Sequence, residues 1–185
     1  MTSLGPPWQK ANGSISPKSR STPIPPLLEA VERFEPVAGP ADQTAAEWLK
    51  SSALAQSGHI ATYVLIQGEQ VVAFYSLGMG EVELRTQHRK RLASPHPRPG
   101  AVLVLWLARA IDADVGAETI LRHAVGIGQI AARHVGAAVI ALDPFDAETE
   151  QFWRERFGFR ASLTRRRDAQ GEERPRLWMP LFPDA

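Results

Sequence analysis

Ala101-Val-Leu-Val-Leu-Trp-Leu-Ala-Arg-Ala-Ile-Asp112 is the stretch on which the reading of this chain turns. Its first eight residues carry no charge and no polar alternation, the pattern of a central strand covered on both faces. A short turn around Gly116 follows, and then a helical repeat from about Glu118 to His134. Ile120, Leu121, Ala124, Ile127, Ala131 and Val135 fall on one face of it, with Glu118, Arg122, Gln129 and Arg133 on the other. A buried strand that feeds a helix through a glycine-containing turn is a common place for an α/β protein to hold a phosphate-bearing ligand. Gly126 and Gly128 inside the helix each cost up to about 1 kcal/mol relative to alanine, so close packing on the sheet is expected to offset them.

Working outward, the 185 residues suit one domain and a tail, with net charge +1 and no cysteine. There is no global field that would demand nucleic acid or membrane, and disulfides and thiolate metal sites are excluded. The apolar run at 101–108 is too short to span a bilayer and the N-terminus has no apolar signal core, so a cytoplasmic protein is expected. Residues 1–26 hold six prolines, three basic residues and no acid, and are expected to be a disordered tail ahead of a domain at 27–185. Leu27 to Val37 fits either a strand or a short helix. Ala41, Ala45, Trp48, Leu49 and Ala53 recur at helical spacing, with Gly58 and His59 as the stop. Thr62–Ile66 and Val71–Leu77 read as a hairpin closed by 67–70, with Gly78 and Gly80 ending it.

Beyond the central helix, Gly136 is a C-terminal stop and Ala137–Leu142 a second buried strand. Asp146 is the expected N-cap of a helix that runs to Gly158, and a last hairpin turns at 168–171. Two basic clusters stand out. Arg85, His88, Arg89, Lys90 and Arg91 lie in the long polar connection at 81–99, and Arg165, Arg166 and Arg167 on the last hairpin. Each reads either as a solvated face or edge or as a local phosphate or RNA contact. The histidines at 59, 88, 96, 123 and 134 have no paired ligand spacing, so no metal site is expected. Asp143 and Asp146, past a buried strand, fit capping or ligand contact, and Ser76 with Glu81 fits an amine or water site.

The order helix, hairpin, long loop, central strand, helix, strand, helix, hairpin resembles the GNAT (Gcn5-related N-acetyltransferase) fold. Trp106-Leu-Ala-Arg-Ala-Ile-Asp112 is similar to the family's fourth strand, Leu-Ala-Arg-Leu-Ala-Val-Asp. Phe152-Trp-Arg-Glu-Arg-Phe-Gly-Phe159 is similar to its Phe-Tyr-x-x-x-Gly-Phe signature. Ala46-Glu-Trp-Leu49 and Ala73-Phe-Tyr-Ser-Leu77 resemble the branch of GNAT toxins that acetylate aminoacyl-tRNA and are neutralised by a ribbon-helix-helix antitoxin.

The resemblance implies an α/β (α+β) fold: a mixed, mostly antiparallel twisted sheet flanked by helices and splayed between the fourth and fifth strands. It implies an acetyl-CoA-dependent N-acetyltransferase that acts on an amine such as aminoacyl-tRNA, with an antitoxin partner and a homodimer among its assemblies. The acyl arm would bond backbone at Ala108, Arg109, Ala110 and Ile111, and the diphosphate would sit on Gly116, Ala117, Glu118 and Thr119. The alternative is a catalytically impaired GNAT-fold protein that binds a ligand or partner. Two departures favour that alternative. The family's Gln/Arg-x-x-Gly-x-Gly/Ala turn is replaced by Asp112-Ala-Asp-Val-Gly-Ala-Glu-Thr119, which brings three carboxylates to where a diphosphate would approach. Trp153 stands where the family's acid is a tyrosine, and an indole N–H donates without useful acidity at neutral pH.

Overall fold

A computed structural model describes residues 8–10, 25–37, 39–53, 59–168 and 170–182. The strands are β1 (Trp8–Lys10), β2 (Ala61–Gln67), β3 (Gln70–Glu81), β4 (Gly100–Arg109), β5 (Val139–Leu142), β6 (Arg160–Arg167) and β7 (Glu173–Pro180). The helices are α1 (Pro25–Glu32), α2 (Pro40–Ser51), α3 (Thr86–Arg91), α4 (Ala117–Val135) and α5 (Ala147–Phe157). The sheet order is β1-β2-β3-β4-β5-β7-β6. β4 and β5 run parallel, whereas β1–β2, β2–β3, β5–β7 and β6–β7 run antiparallel. The architecture is therefore the mixed, mostly antiparallel α+β sheet that the resemblance implies. The chain divides into two compact units, Met1–Leu77 with Trp106–Arg122 and Gly78–Leu105 with His123–Ala185.

In the first unit the core gathers Ala30, Val31 and Phe34, then Ala45, Ala46 and Leu49 of α2, and Val64, Val71, Phe74 and Ala108 of the strands. Phe34 meets Phe74 edge to face at 5.5 Å, and Trp48 stacks on Trp106 at 5.7 Å. Leu27–Glu32, ambiguous in sequence, is helical, while Phe34–Val37 is extended. α2 ends at Ser51 rather than at Gly58 and His59; residues 54–58 lie outside those described, and His59 sits in a turn. Trp8–Lys10, within the segment expected to be disordered, pairs with Leu65–Tyr63 of β2. Trp8 packs against Tyr75 with ring centroids 5.2 Å apart and planes tilted by 58°, which supplies the apolar contact that the composition of 1–26 does not advertise. The other residues before Pro25 lie outside the description.

In the second unit the core holds Val82, Leu84, Ala101, Leu103, Val139, Ala141 and Trp178. Gly78 and Gly80 do not end the hairpin, because β3 runs on to Glu81. A Cβ at Gly80 would lie 2.6 Å from Leu103, and one at Gly78 would lie 2.9 Å from Leu105. The two leucines occupy the space that side chains on β3 would need, so the glycines serve close packing here. Gly128 packs as expected, its Cβ position 3.4 Å from Leu181 and 3.5 Å from Val102, whereas Gly126 faces open space. Gly136 and Gly158 adopt left-handed φ of 73° and 72° at the ends of α4 and α5. The long polar connection contains α3, and no helix among the described residues is long and apolar enough to cross a membrane.

Candidate functional site

The strand-turn-helix from Trp106 to Arg122 belongs to the first unit, so the site can be built there from its backbone upward. β4 pairs with β5 only from Ala101 to Val104, and then continues five residues to Arg109. Past that point Pro36 bridges Ala110. Ile111 N–H donates to Glu35 O at 3.0 Å, and Val37 N–H donates to Arg109 O at 3.1 Å. On the other edge, Ala110 N–H donates to Val72 O at 2.8 Å.

Strand alternation turns these bonds into an accounting of the expected acyl-arm residues. Ala110 spends its N–H on β3, and Ala108, two residues earlier, directs its own to that same edge. Ile111 spends its N–H on the segment before α2. Arg109 faces the same edge as Ile111, and there its carbonyl already accepts from Val37 N–H at 3.1 Å. Leu107, not singled out in the sequence, shares that edge. The missed signal was Glu35-Pro36: a residue before proline favours extended backbone, and an extended segment can add itself to a strand.

The turn itself is pinned by Ala113 and Val115, both buried, while Asp112, Asp114, Gly116 and Glu118 are exposed. Arg109 donates to Ala113 O at 3.3 Å, which ties the strand end to the turn. Gly116 O accepts from Thr119 N–H at 3.0 Å, so Gly116 opens α4. Its φ is not left-handed and its Cβ position meets nothing, so it is not required as glycine for the close approach expected of it. Glu118 pairs with Arg122 at 3.3 Å in the open. Asp42 of α2 is raised above the usual carboxylate range, mainly by burial, with Arg109 pulling it back. Helical spacing alone did not mark it.

Trp153 lies in the second unit, in an aromatic cluster with Phe152, Phe157 and Phe159 at centroid distances of 5.3, 5.1 and 5.8 Å. Those contacts give the indole a packing role. Asp146 caps α5: its carboxylate accepts from Thr149 N–H at 2.8 Å, and its own N–H donates to Thr149 Oγ1 at 2.9 Å. Asp143 accepts from Arg176 at 2.8 and 2.6 Å, a bidentate pair with a buried guanidinium. Ser76 is buried, 3.0 Å from the Thr62 hydroxyl, and Glu81 pairs with Arg98, so neither is held out for an amine. His123 is half-buried, and burial lowers its pKa. Among the described residues no group of three or more acidic or histidine side chains could hold a metal ion.

No known family's sequence profile matches the chain, and no curated protein sequence matches it. Solved structures do. AtaT complexed with acetyl-methionyl-tRNAfMet superposes with a TM-score of 0.65 at 18% identity, covering 81% of this chain and 86% of that one. A mutant of KacT gives 0.65 at 17% identity over 82% and 87%. A mutant AtaT toxin bound to the C-terminus of the antitoxin AtaR and acetyl-CoA gives 0.59 at 17% identity over 82% and 85%. At these identities the likeness is one of architecture, and it agrees with the element order and the sheet: the chain has the GNAT fold seen in the toxins AtaT and KacT.

Proposed function

We propose that this chain is an acetyl-CoA-dependent N-acetyltransferase whose acceptor is an amine, of the kind carried by an aminoacyl-tRNA. The carrying observation is the β4 edge, which outruns its pairing with β5 at Val104 in a fold whose solved examples hold acetyl-CoA and an acetylated tRNA. The Leu107 amide, on the stretch of that edge ahead of the Val37 contact, would bond the acyl arm and meet the oxyanion that forms when a neutral amine attacks the thioester carbon. The diphosphate would rest on the N–H groups of Gly116 to Glu118 at the start of α4. The amine proton passes to water or a carboxylate, and the thiolate leaves without an acid at Trp153. General acid catalysis contributes about 10²–10⁴-fold, so its absence slows the transfer without forbidding it. A ribbon-helix-helix antitoxin and a cytoplasmic location belong to the same proposal.

One observation favours the second reading, a GNAT-fold binding module. Ala110 and Ile111 have spent their amides within the chain, and Asp112, Asp114 and Glu118 are exposed beside the helix start. Calorimetry with acetyl-CoA separates the two. Micromolar binding, with the heat lost in Gly116→Glu, supports the transferase; no binding at millimolar ligand overturns it.

A further inference from the structure

Glu35, Pro36 and Val37 lie along the outer edge of β4 in the antiparallel register of an added strand. Ile111 N–H donates to Glu35 O at 3.0 Å and Val37 N–H donates to Arg109 O at 3.1 Å. Pro36 stands opposite Ala110 between the two bonds. This is the non-hydrogen-bonded pair of an antiparallel ladder, where the amide of residue 36 would face away from β4. Proline therefore forfeits no bond there, and it favours extended backbone at Glu35 before it. Its missing N–H also discourages a further strand from adding outside.

The acyl arm of acetyl-CoA carries amides along a flexible chain, so it can bond a strand edge with a peptide's alternation of donor and acceptor. Arg109 O and Ile111 N–H are the acceptor and donor next to Leu107 on that edge, and Glu35–Val37 already hold both. The hold is firm at its ends and light at its centre. Phe34 is buried against Phe74 at 5.5 Å, and α2 is set into the core by Ala45, Ala46 and Leu49. Between them Glu35 is exposed, and Pro36 and Val37 are only half-buried. Lifting these three residues breaks two hydrogen bonds and withdraws no buried side chain from the core, so it is a local event within a fixed frame. Ala110 gives the contrast: its N–H is bonded to Val72 O at 2.8 Å on the β3 side.

We propose that Glu35–Val37 is an internal strap that occupies the acyl-arm edge of β4 and lifts for the arm to dock in full. The strap rests on the acetyl-CoA-dependent reading of this site and concerns its regulation. Strap and arm compete for Arg109 O and Ile111 N–H. Acetyl-CoA therefore binds more weakly than it would to an open edge, in proportion to the fraction of molecules in which the strap is lifted. The Ile111 amide is held in reserve rather than lost.

The test uses the full chain as wild type, as Val37→Pro and as Pro36→Cys/Ala110→Cys. Val37→Pro keeps the backbone extended and removes the N–H that holds Arg109 O. Residues of a non-hydrogen-bonded pair lie about 4.5 Å apart at Cα, within disulfide range, so the double variant locks the strap when oxidised. The wild-type chain has no cysteine to interfere. In calorimetry Val37→Pro is expected to bind acetyl-CoA about three- to tenfold tighter, and the oxidised lock at least about tenfold weaker, with reduction restoring binding. In the free wild type, Ile111 N–H is expected to exchange with solvent at least about a hundredfold faster than Ala110 N–H. Equal exchange, an oxidised lock that binds as tightly as its reduced form, or a folded Val37→Pro that binds no tighter than wild type each overturns the strap and leaves the transferase reading standing. No binding at millimolar ligand by either wild type or Val37→Pro overturns the transferase reading, and the strap with it.

Discussion

Asp112 to Gly116 leads from β4 into α4, and Asp143 to Asp146 leads from β5 into α5. The helices then open with nearly the same words, Gly116-Ala-Glu-Thr119 and Asp146-Ala-Glu-Thr149. In the second, Asp143, Asp146 and Thr149 all have structural work. Asp146 and Thr149 close a capping box, and Asp143 neutralises the buried Arg176, which also donates to Glu81 O at 3.2 Å. In the first, the residue at the cap position has no side chain, and Asp112 and Asp114 point into solvent. Thr119 is the same residue at the same place, yet it has no carboxylate to pair with. The α5 turn is thus completed by its own carboxylate, whereas the residue at the α4 cap position offers no side-chain acceptor. Such an opening is what an anionic ligand needs, and the flanking aspartates set how tightly one is held.

Four changes would break or sharpen that contrast. Asp143→Ala leaves the buried Arg176 guanidinium without its partner, and urea unfolding is expected to show a loss of about 2–4 kcal/mol. A loss under 0.5 kcal/mol would mean the α5 turn is no better anchored than the α4 turn. Gly116→Asp writes the α5 cap into α4. It is expected to raise stability by a few tenths of a kcal/mol and to weaken acetyl-CoA binding about tenfold or more in calorimetry, since the new carboxylate takes the amides that a diphosphate would use. Unchanged affinity would remove the helix start from the ligand site. Asp146→Ala should cost about 1 kcal/mol by thermal or denaturant unfolding, from the lost capping box. Asp112→Asn with Asp114→Asn should leave stability within about 0.5 kcal/mol and tighten acetyl-CoA about fivefold, since two exposed like charges are removed. If stability fell instead, these aspartates would have a structural role that their exposure does not indicate.

Much of the framework was legible because it rests on local rules. An uninterrupted apolar run marked β4, 3.6-residue periodicity marked α4, and the positive-φ glycines at 136 and 158 marked helix ends. Asp146 as an N-cap followed from its place before a helical repeat. The errors share one cause. Gly78 and Gly80 look like turn residues until Leu103 and Leu105 are seen filling the space beside them. Trp8–Lys10 belongs to a proline-rich segment, yet Tyr75 gives Trp8 a ring to pack against. Ala110 and Ile111 match the family's strand, but whether their amides are free depends on Val72 and Glu35, 38 and 76 residues earlier.

The sequence by itself determined the order of elements and their types, and through them the GNAT fold, because hydrophobic period, caps and turn glycines act within a few residues. It also determined which residues carry charge, including the three carboxylates of the α4 turn. Only the tertiary structure decided that Ala110 and Ile111 spend their amides on Val72 and Glu35, that Asp143 is committed to Arg176, and that His88 of α3 and Arg160 of β6 both lie against Trp178. Each of these depends on a partner far away in the chain. Hydrogen-bond saturation and charge pairing are properties of neighbours in space, and local residue preferences do not encode them.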